Sequence, residues 1–393
     1  MMTQPRIAIV VSHPIQHFCP QYASLAAISD WQVKVFFASS MGKKAYHDKD
    51  FGHSLAWSSL SLDAFEHQFL SEEALPSSKN LDAPKLDHAL MAYDPDVVVI
   101  YGYWQKVQRR ALAWAVGAGK RIYYISDSEL AHGAGGPKSW LKTLLLRRRL
   151  APVSRFLTVG TWNEDFYRRV GAPVSKMTRM NFPIDIAAFD HALADSKELR
   201  EKTRRELGFK PDDFVIATVG KLVPRKRQAD LIRAVLIAKP EARLRALVIG
   251  SGPDEPALQT LVNGDERVRM CGFISPEALP ALYLASDAYA HLSSYEPHSL
   301  AISEAIYCGL PVVLSDRCGS YGPSDDVEPG ANGFVFPVGD VESLAGMLSR
   351  LAQSPSLRQR FAKRSLAYAL DAQHQAHGEF LRIALTADGL WNT

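Results

Sequence analysis

The sequence predicts an α/β protein of two doubly wound domains, each a parallel sheet covered by helices. Three observations predict it. Short apolar runs, of the kind buried on both faces of a parallel sheet, alternate with helix-period segments. The alternation occurs on both sides of Asn181-Phe182-Pro183-Ile184-Asp185, where Pro183 breaks any helix. The chain has 393 residues, 47% of them hydrophobic, enough for two domains with cores of their own. The expected division is residues 1–185, residues 186–370 and a closing helix over 371–393 that returns to the first domain.

Composition excludes several classes. Cys19, Cys271, Cys308 and Cys318 are scattered without a C-x-x-C pair, which argues against a disulfide framework or a thiolate zinc site. The first apolar run, Ile7–Val11, is too short for a signal peptide, and no stretch reaches the length of a membrane span. The expected location is the cytoplasm. A net charge of +3 conceals an uneven distribution: residues 101–179 hold 15 Lys/Arg against four Asp/Glu. That segment calls for an acidic partner or an anionic surface. It contains no recognisable nucleic-acid-binding motif.

In chain order, Ile7–Val11 reads as a buried strand, residues 12–17 as a loop, Phe18–Ala27 as a helix and Trp31–Ala38 as a second strand. The first such loop of a doubly wound sheet lies at the carboxyl edge, where ligands bind. Here it carries His13, Gln16 and His17, which either meet a ligand or cap and pack the turn. Residues 42–84 show weak periodicity and are given no elements. Asp96–Tyr101, Lys106–Ala118 and Arg121–Ser126 read as strand, helix and strand, and leave Asp127 at a carboxyl strand end before the glycine-rich 133–136. Asp127 either caps the turn or serves a site.

Residues 138–150 form a basic amphipathic helix with Trp140, Leu141, Leu144 and Leu145 on one side and Lys138, Lys142, Arg147, Arg148 and Arg149 around them. Such a helix lies in a membrane interface or covers a sheet with its leucines. Phe156–Gly160 is the last clear strand of the first domain, and Ser196–Leu207 an exposed charged helix leading into the second.

The second domain opens with Phe214–Val219 and then Lys221, Arg225, Lys226 and Arg227, a cationic edge suited to a pyrophosphate. Leu244–Ile249 precedes Gly250-Ser251-Gly252, which has Glu255 where a dinucleotide fingerprint needs its third glycine. A dehydrogenase is thereby disfavoured. Val268–Phe273 reads as a strand, Leu282–Ala290 as the following helix, and Leu300–Ile306 as a short helix stopped at Gly309 before Val312-Val313. Glu296 stands in the turn before this helix and Glu304 within it, with Ser299 at its start. A helix N-terminus attracts phosphate, and carboxylates beside it accept hydrogen bonds from hydroxyls. Helices over Val341–Leu351, Leu357–Ala369 and Ala372–Leu385 close the chain.

Glu296 and Glu304, eight apart, together with Cys308-Gly309-Leu310-Pro311-Val312-Val313, resemble the signature of the retaining glycosyltransferases of family 4. Lys221 and Lys226 occupy the places of that family's basic pair, with Lys221 in place of Arg; His298 and Ser299 replace its aromatic residue and glycine. The resemblance spans residues 214–336 and implies a GT-B fold, two Rossmann-like domains facing a cleft. It implies a nucleotide diphosphate sugar donor, with UDP preferred over GDP, and transfer to a glycan or lipid-linked acceptor in envelope polysaccharide or glycolipid synthesis. By the same resemblance Lys221, Lys226, Ser299 and Leu300 hold the diphosphate, Glu304 the ribose and Glu296 the sugar hydroxyls, and Gly252, Phe273, Ile274 and His298 complete the donor site. Asp127 or His13 acts from the acceptor side, with Gln16 and His17 as further candidates there. No metal or other cofactor is expected, since two lysines can replace a cation. Two alternatives stand beside this reading: a nucleotide-sugar 2-epimerase of the same architecture, and a non-enzymatic basic module binding polyanions or membranes.

Overall fold

The computed structural model describes residues 4–43, 46–48, 53–55, 60–129, 137–239 and 242–391. The chain divides into two compact units: Met1–His47, Ser54–Ile184 and Ala372–Thr393 form the first, and Asp48–His53 with Asp185–Asp371 the second.

In chain order the first part runs β1 (Arg6–Val11), α1 (Cys19–Ala26), β2 (Gln32–Phe37), β3 (Tyr46–Asp48), β4 (His53–Leu55) and β5 (Glu66–Phe69). It continues with α2 (Leu86–Tyr93), β6 (Val97–Tyr101), α3 (Lys106–Gly117), β7 (Arg121–Ile125) and α4 (Pro137–Leu150). Then come β8 (Arg155–Thr158), α5 (Thr161–Arg169) and β9 (Met177–Arg179). Seven of these strands form one parallel sheet in the order β5-β2-β1-β6-β7-β8-β9. Alternate residues of β1 feed opposite faces: Ala8 and Val10 enter one core, Ile7, Ile9 and Val11 the other. Burial on both sides is why β1 is continuously apolar.

The second part runs α6 (Ile186–Ala194), α7 (Ser196–Leu207), β10 (Phe214–Val219), α8 (Gln228–Ile237), β11 (Leu244–Ile249), α9 (Glu255–Val262) and β12 (Val268–Met270). It continues through α10 (Leu279–Ala285), β13 (Ala288–His291), α11 (Leu300–Tyr307), β14 (Val312–Ser315), β15 (Gly333–Phe336) and α12 (Val341–Gln353). The chain ends with α13 (Pro355–His374) and α14 (Phe380–Ala387). The second sheet is also parallel, ordered β12-β11-β10-β13-β14-β15.

Several expectations are corrected. The first sheet extends past Phe156–Gly160 to β9, and β5 pairs with β2 inside the stretch given no elements. Both are short edge strands, and β5 alternates exposed and half-buried residues around a polar sequence, so no apolar run announces it. The strand expected over Val268–Phe273 stops at Met270, and the helix expected over Leu282–Ala290 ends at Ala285, the residues from Ala288 on forming β13. Helix α7 is not merely exposed. Arg204 is buried and donates to the carbonyls of Ala285, Lys210 and Asp213 and to the Asp287 carboxylate. The helix break expected between Ala369 and Ala372 comes later, at a turn of Gln375–Glu379 where Gly378 has φ 153° and a Cβ would lie 2.6 Å from the Ile28 side chain. Beyond it Phe380, Leu381, Ala384 and Leu385 join a core of the first unit, and Arg155 pairs with Asp388 at 2.6 Å. The glycine-rich 133–136 lies outside the described residues.

Candidate functional site

The loops at the carboxyl edge of the second sheet are built to touch. After β10 the chain must pass under the loop after β11: a Cβ on Gly250 would meet the Gly220 carbonyl oxygen at 1.9 Å, and one on Gly252 the Leu222 carbonyl at 2.4 Å. Both glycines also have positive φ, 135° and 156°. The absence of side chains at 250 and 252 therefore lets the basic loop 221–227 lie flat against its neighbour.

That loop is tied to the turn before α11. The Ser294 amide donates to the Arg225 carbonyl at 2.8 Å, and Arg225 Nη1 donates to the Tyr295 carbonyl at 2.7 Å. From the other side, Glu296 exchanges backbone hydrogen bonds with Arg317 and Gly319. The turn is thus clamped between two loops, and the Glu296 carboxylate projects from a fixed backbone.

Glu296 is the hub. Its Oε2 accepts from Lys226 Nζ at 2.6 Å, Arg225 Nη1 at 2.8 Å and Ser293 Oγ at 3.3 Å. His291 Nε2 lies 3.8 Å away. Burial alone would raise this carboxyl's pKa, but the His291 contact and the Lys226 charge outweigh it and hold it well below the usual carboxylate range. Every described side-chain contact falls on Oε2. Oε1 has no donor among the described residues, so one oxygen anchors the cations while the other keeps its lone pairs for hydroxyls.

Beneath the hub sits His291, 2% exposed, with Tyr289 Oη and Ser299 Oγ 3.3 and 3.4 Å from Nδ1 and Ser293 Oγ 3.1 Å from Nε2. Burial lowers its pKa. Sequence reasoning assigned no role to His291 or Ser293, and the only signal was their position at a strand end; Arg225 was expected only as part of the cationic edge, not as a partner of Glu296.

At the start of α11 the expectation for Ser299 is corrected. Its amide donates to Ser320 Oγ at 3.0 Å and is committed within the protein. The amides of Ile302 and Ser303 both turn to the Ser299 carbonyl. Those of Leu300 and Ala301 have no partner among the described residues, so the anion-seeking end of α11 lies one residue later than the sequence suggested.

Glu304, in the fifth position of α11, accepts from Tyr283 Oη at 2.7 Å. Burial pushes its carboxyl up to about 7, partly offset by that hydrogen bond. His298 Nε2 lies 3.5 Å from Asp326. Phe273 is 40% exposed in the loop after β12, next to Ile274 and just past Gly272, whose carbonyl accepts from the Gly250 amide. The cationic edge carries less uncompensated charge than its composition implied: Arg225 and Lys226 pair with Glu296, and Arg227 pairs with Asp230 at 2.7 Å. Gln228 Nε2 donates to the Lys221 carbonyl at 3.0 Å, fixing the root of that side chain.

The remaining candidates belong to the first unit. His13 takes a hydrogen bond with Ser12 Oγ at 2.8 Å, and burial lowers its pKa to about 4. Burial does the same to His17, whose ring packs on Phe18 at 4.5 Å between centroids. Both rings are neutral at pH 7. Gln16 lies between them, half-buried. Asp127 is exposed in the loop after β7, two strands from β1 in the sheet order.

Residues 199–367 match the Glycosyl transferases group 1 family. Among curated proteins, the chain is 32% identical over 186 residues to a GDP-mannose-dependent monoacylated alpha-(1-6)-phosphatidylinositol monomannoside mannosyltransferase of Corynebacterium glutamicum, covering 44% of this chain and 46% of that protein. It is 33% identical over 203 residues to the D-inositol 3-phosphate glycosyltransferase of Rhodococcus erythropolis, covering 49% and 43%. The chain thus aligns with less than half the length of either relative. In structure it is similar to HepE of Anabaena, solved in complex with UDP, at a TM-score of 0.73 and 20% identity over 98% of this chain and 100% of that one. The fold is accordingly α/β, two Rossmann-like units of the GT-B type, and the stretch that matches the group 1 glycosyl transferases is the one that carries the Lys226–Glu296 hub.

Proposed function

We propose that this chain is a retaining hexosyltransferase that takes its sugar from a nucleotide diphosphate donor and passes it to a glycan or lipid-linked acceptor. The observation that carries this reading is the Glu296 hub: a carboxylate with one oxygen bound by Lys226 and Arg225 and the other open, beside the unpartnered amides of Leu300 and Ala301. Diphosphate oxygens need cations and amide donors, whereas sugar hydroxyls need a carboxylate. The hub offers both within one turn of chain. As the glycosidic bond breaks, its electron pair moves to the diphosphate, where Lys221, Lys226 and the α11 amides meet the new charge. These groups supply the positive charge that a metal would otherwise bring, and the transfer is proposed to need none. Glu296 Oε1 holds the transferring ring, and Glu304 the ribose.

UDP is the preferred nucleotide and GDP the second. The reading draws support from HepE, solved with UDP-glucose, and from the GDP-mannose dependence named for the Corynebacterium glutamicum relative. An envelope glycan or glycolipid acceptor accords with the phosphatidylinositol mannoside named there and with the O-antigen chain named for an Escherichia coli mannosyltransferase. His13, Gln16, His17 and Asp127 remain the candidates for the acceptor side.

The test is thermal stability against UDP, GDP, ADP and their sugar conjugates, with and without Mg²⁺. A nucleotide at a hundred times its dissociation constant adds roughly 2.7 kcal/mol. The expected result is a shift with one nucleotide series, unchanged by Mg²⁺ and abolished in Lys226→Ala. No shift with any nucleotide overturns the donor site. Release of an epimerised sugar without acceptor replaces the transferase reading with that of a 2-epimerase.

A further inference from the structure

Helix α4 carries its apolar residues on the wrong side for a core. Leu146 and Leu150 are 5% and 3% exposed and join a core of the first unit. Trp140, Leu141, Leu144 and Leu145 are 66%, 51%, 47% and 60% exposed. At about 100° per residue these four span an arc of about 140°, centred roughly opposite the buried pair. The sheet is covered by a narrow seam, and a broad apolar face is left outside.

Charge accompanies that face. Residues 137–150 contain no Asp or Glu. Arg147 falls at one margin of the arc, Arg149 and Lys142 at the other, and Arg148 within it. All four are exposed, and none has a carboxylate partner among the described residues. The side chain of Lys138 lies outside the described residues. A small cavity lined by Tyr103, Arg109, Arg149 and Leu150 sets the end of α4 beside the loop of Trp104, a second indole-bearing residue, 49% exposed.

We propose that the outer face of α4 docks on an anionic lipid surface. An apolar arc with cations at both margins matches an interface where acyl chains meet negative headgroups. Tryptophan, with an apolar body and one N–H, suits that boundary. The helix lies on the membrane and does not cross it: fourteen residues span about 21 Å, short of the roughly 30 Å hydrocarbon core. A second copy of the chain is the poorer occupant, because pairing two such faces opposes their cations across a desolvated interface. The face is independent of the donor chemistry in the second unit.

The experiment is co-sedimentation of the full chain with vesicles of phosphatidylcholine alone or with about one-third phosphatidylglycerol. Expected is binding at least about tenfold stronger to the anionic vesicles, weakened by high salt. Leu144→Ser/Leu145→Ser and Arg147→Gln/Arg148→Gln/Arg149→Gln should each lower that binding about tenfold or more while melting at the wild-type temperature, since the changed side chains are exposed. Equal or absent binding to the two vesicles overturns the proposal, as does full binding by both variants. A wild-type dimer dissolved by Leu144→Ser/Leu145→Ser, without vesicle binding, overturns it in favour of a second copy.

Discussion

The two sheets each begin with a strand, a loop and a helix, and the two loops have opposite chemistry. After β1 the loop holds His13 and His17, both driven to about 4 and neutral. After β10 the corresponding loop holds Arg225 and Lys226, both locked onto an ionised Glu296. One topology therefore delivers a neutral edge in the first unit and a charged, mutually neutralising edge in the second. The fold supplies the position of a site, and the side chains decide what it can bind.

The contrast is broken most directly at the hub. Glu296→Gln keeps the shape of the side chain and removes the charge that faces Lys226 and Arg225. Turnover with the true donor should fall about 100-fold or more, on the scale of losing one preorganised electrostatic contact. Steady-state kinetics showing less than a tenfold loss would detach the hub from the chemistry.

Next in size is the packing that flattens the second loop. Gly250→Ala places a methyl against the Gly220 carbonyl in a backbone conformation with positive φ, and should cost about 3 kcal/mol in urea unfolding. A variant as stable as wild type would show that the loop 220–227 has room to move.

The pH dependence sharpens the comparison, because the two edges carry opposite signs. Glu304 has its pKa raised from 4.5 to about 7, so its protonated form is favoured in the folded chain. Its stability contribution is complete below about 4.5 and is lost as pH rises through about 7. His13 and His17 have theirs lowered from 6.5 to about 4. Their contribution is complete above about 6.5 and is lost as pH falls through about 4. Melting temperatures between pH 4 and 8 should therefore show Glu304→Gln relieving loss on the alkaline side and His13→Gln relieving loss on the acid side. The same sign for both variants would refute the contrast.

The smallest effect is expected at Lys221. Lys221→Arg restores a forked donor and should tighten nucleotide binding about threefold by calorimetry, since a planar guanidinium can take two phosphate oxygens at once.

Much of this was legible in the residues. The β1, β6, β10 and β11 runs are apolar because both of their faces are buried, and such runs need no context to be read. Glu296, Glu304, Lys221 and Lys226 stood out through their resemblance to the family 4 signature. Edge strands β5 and β9 were missed because one side of an edge is open to water and its sequence shows no apolar run. His291 was missed because a buried histidine held by two serines and a tyrosine has no local pattern; its partners converge from positions 289, 293 and 299 only when β13 ends beneath α11.

The sequence alone determined the alternation of strands and helices and the presence of a cationic loop and two glutamates, because hydrophobic period and charge are local properties. Tertiary structure decided which atoms remain for a ligand. It gave Glu296 Oε2 to Lys226 and Arg225, gave the Ser299 amide to Ser320, and raised Glu304 through burial. It also turned Leu146 and Leu150 of α4 inward and left Trp140 and Leu145 outside. A helix's apolar pattern shows which residues share a face, but which face is buried depends on the sheet beneath it.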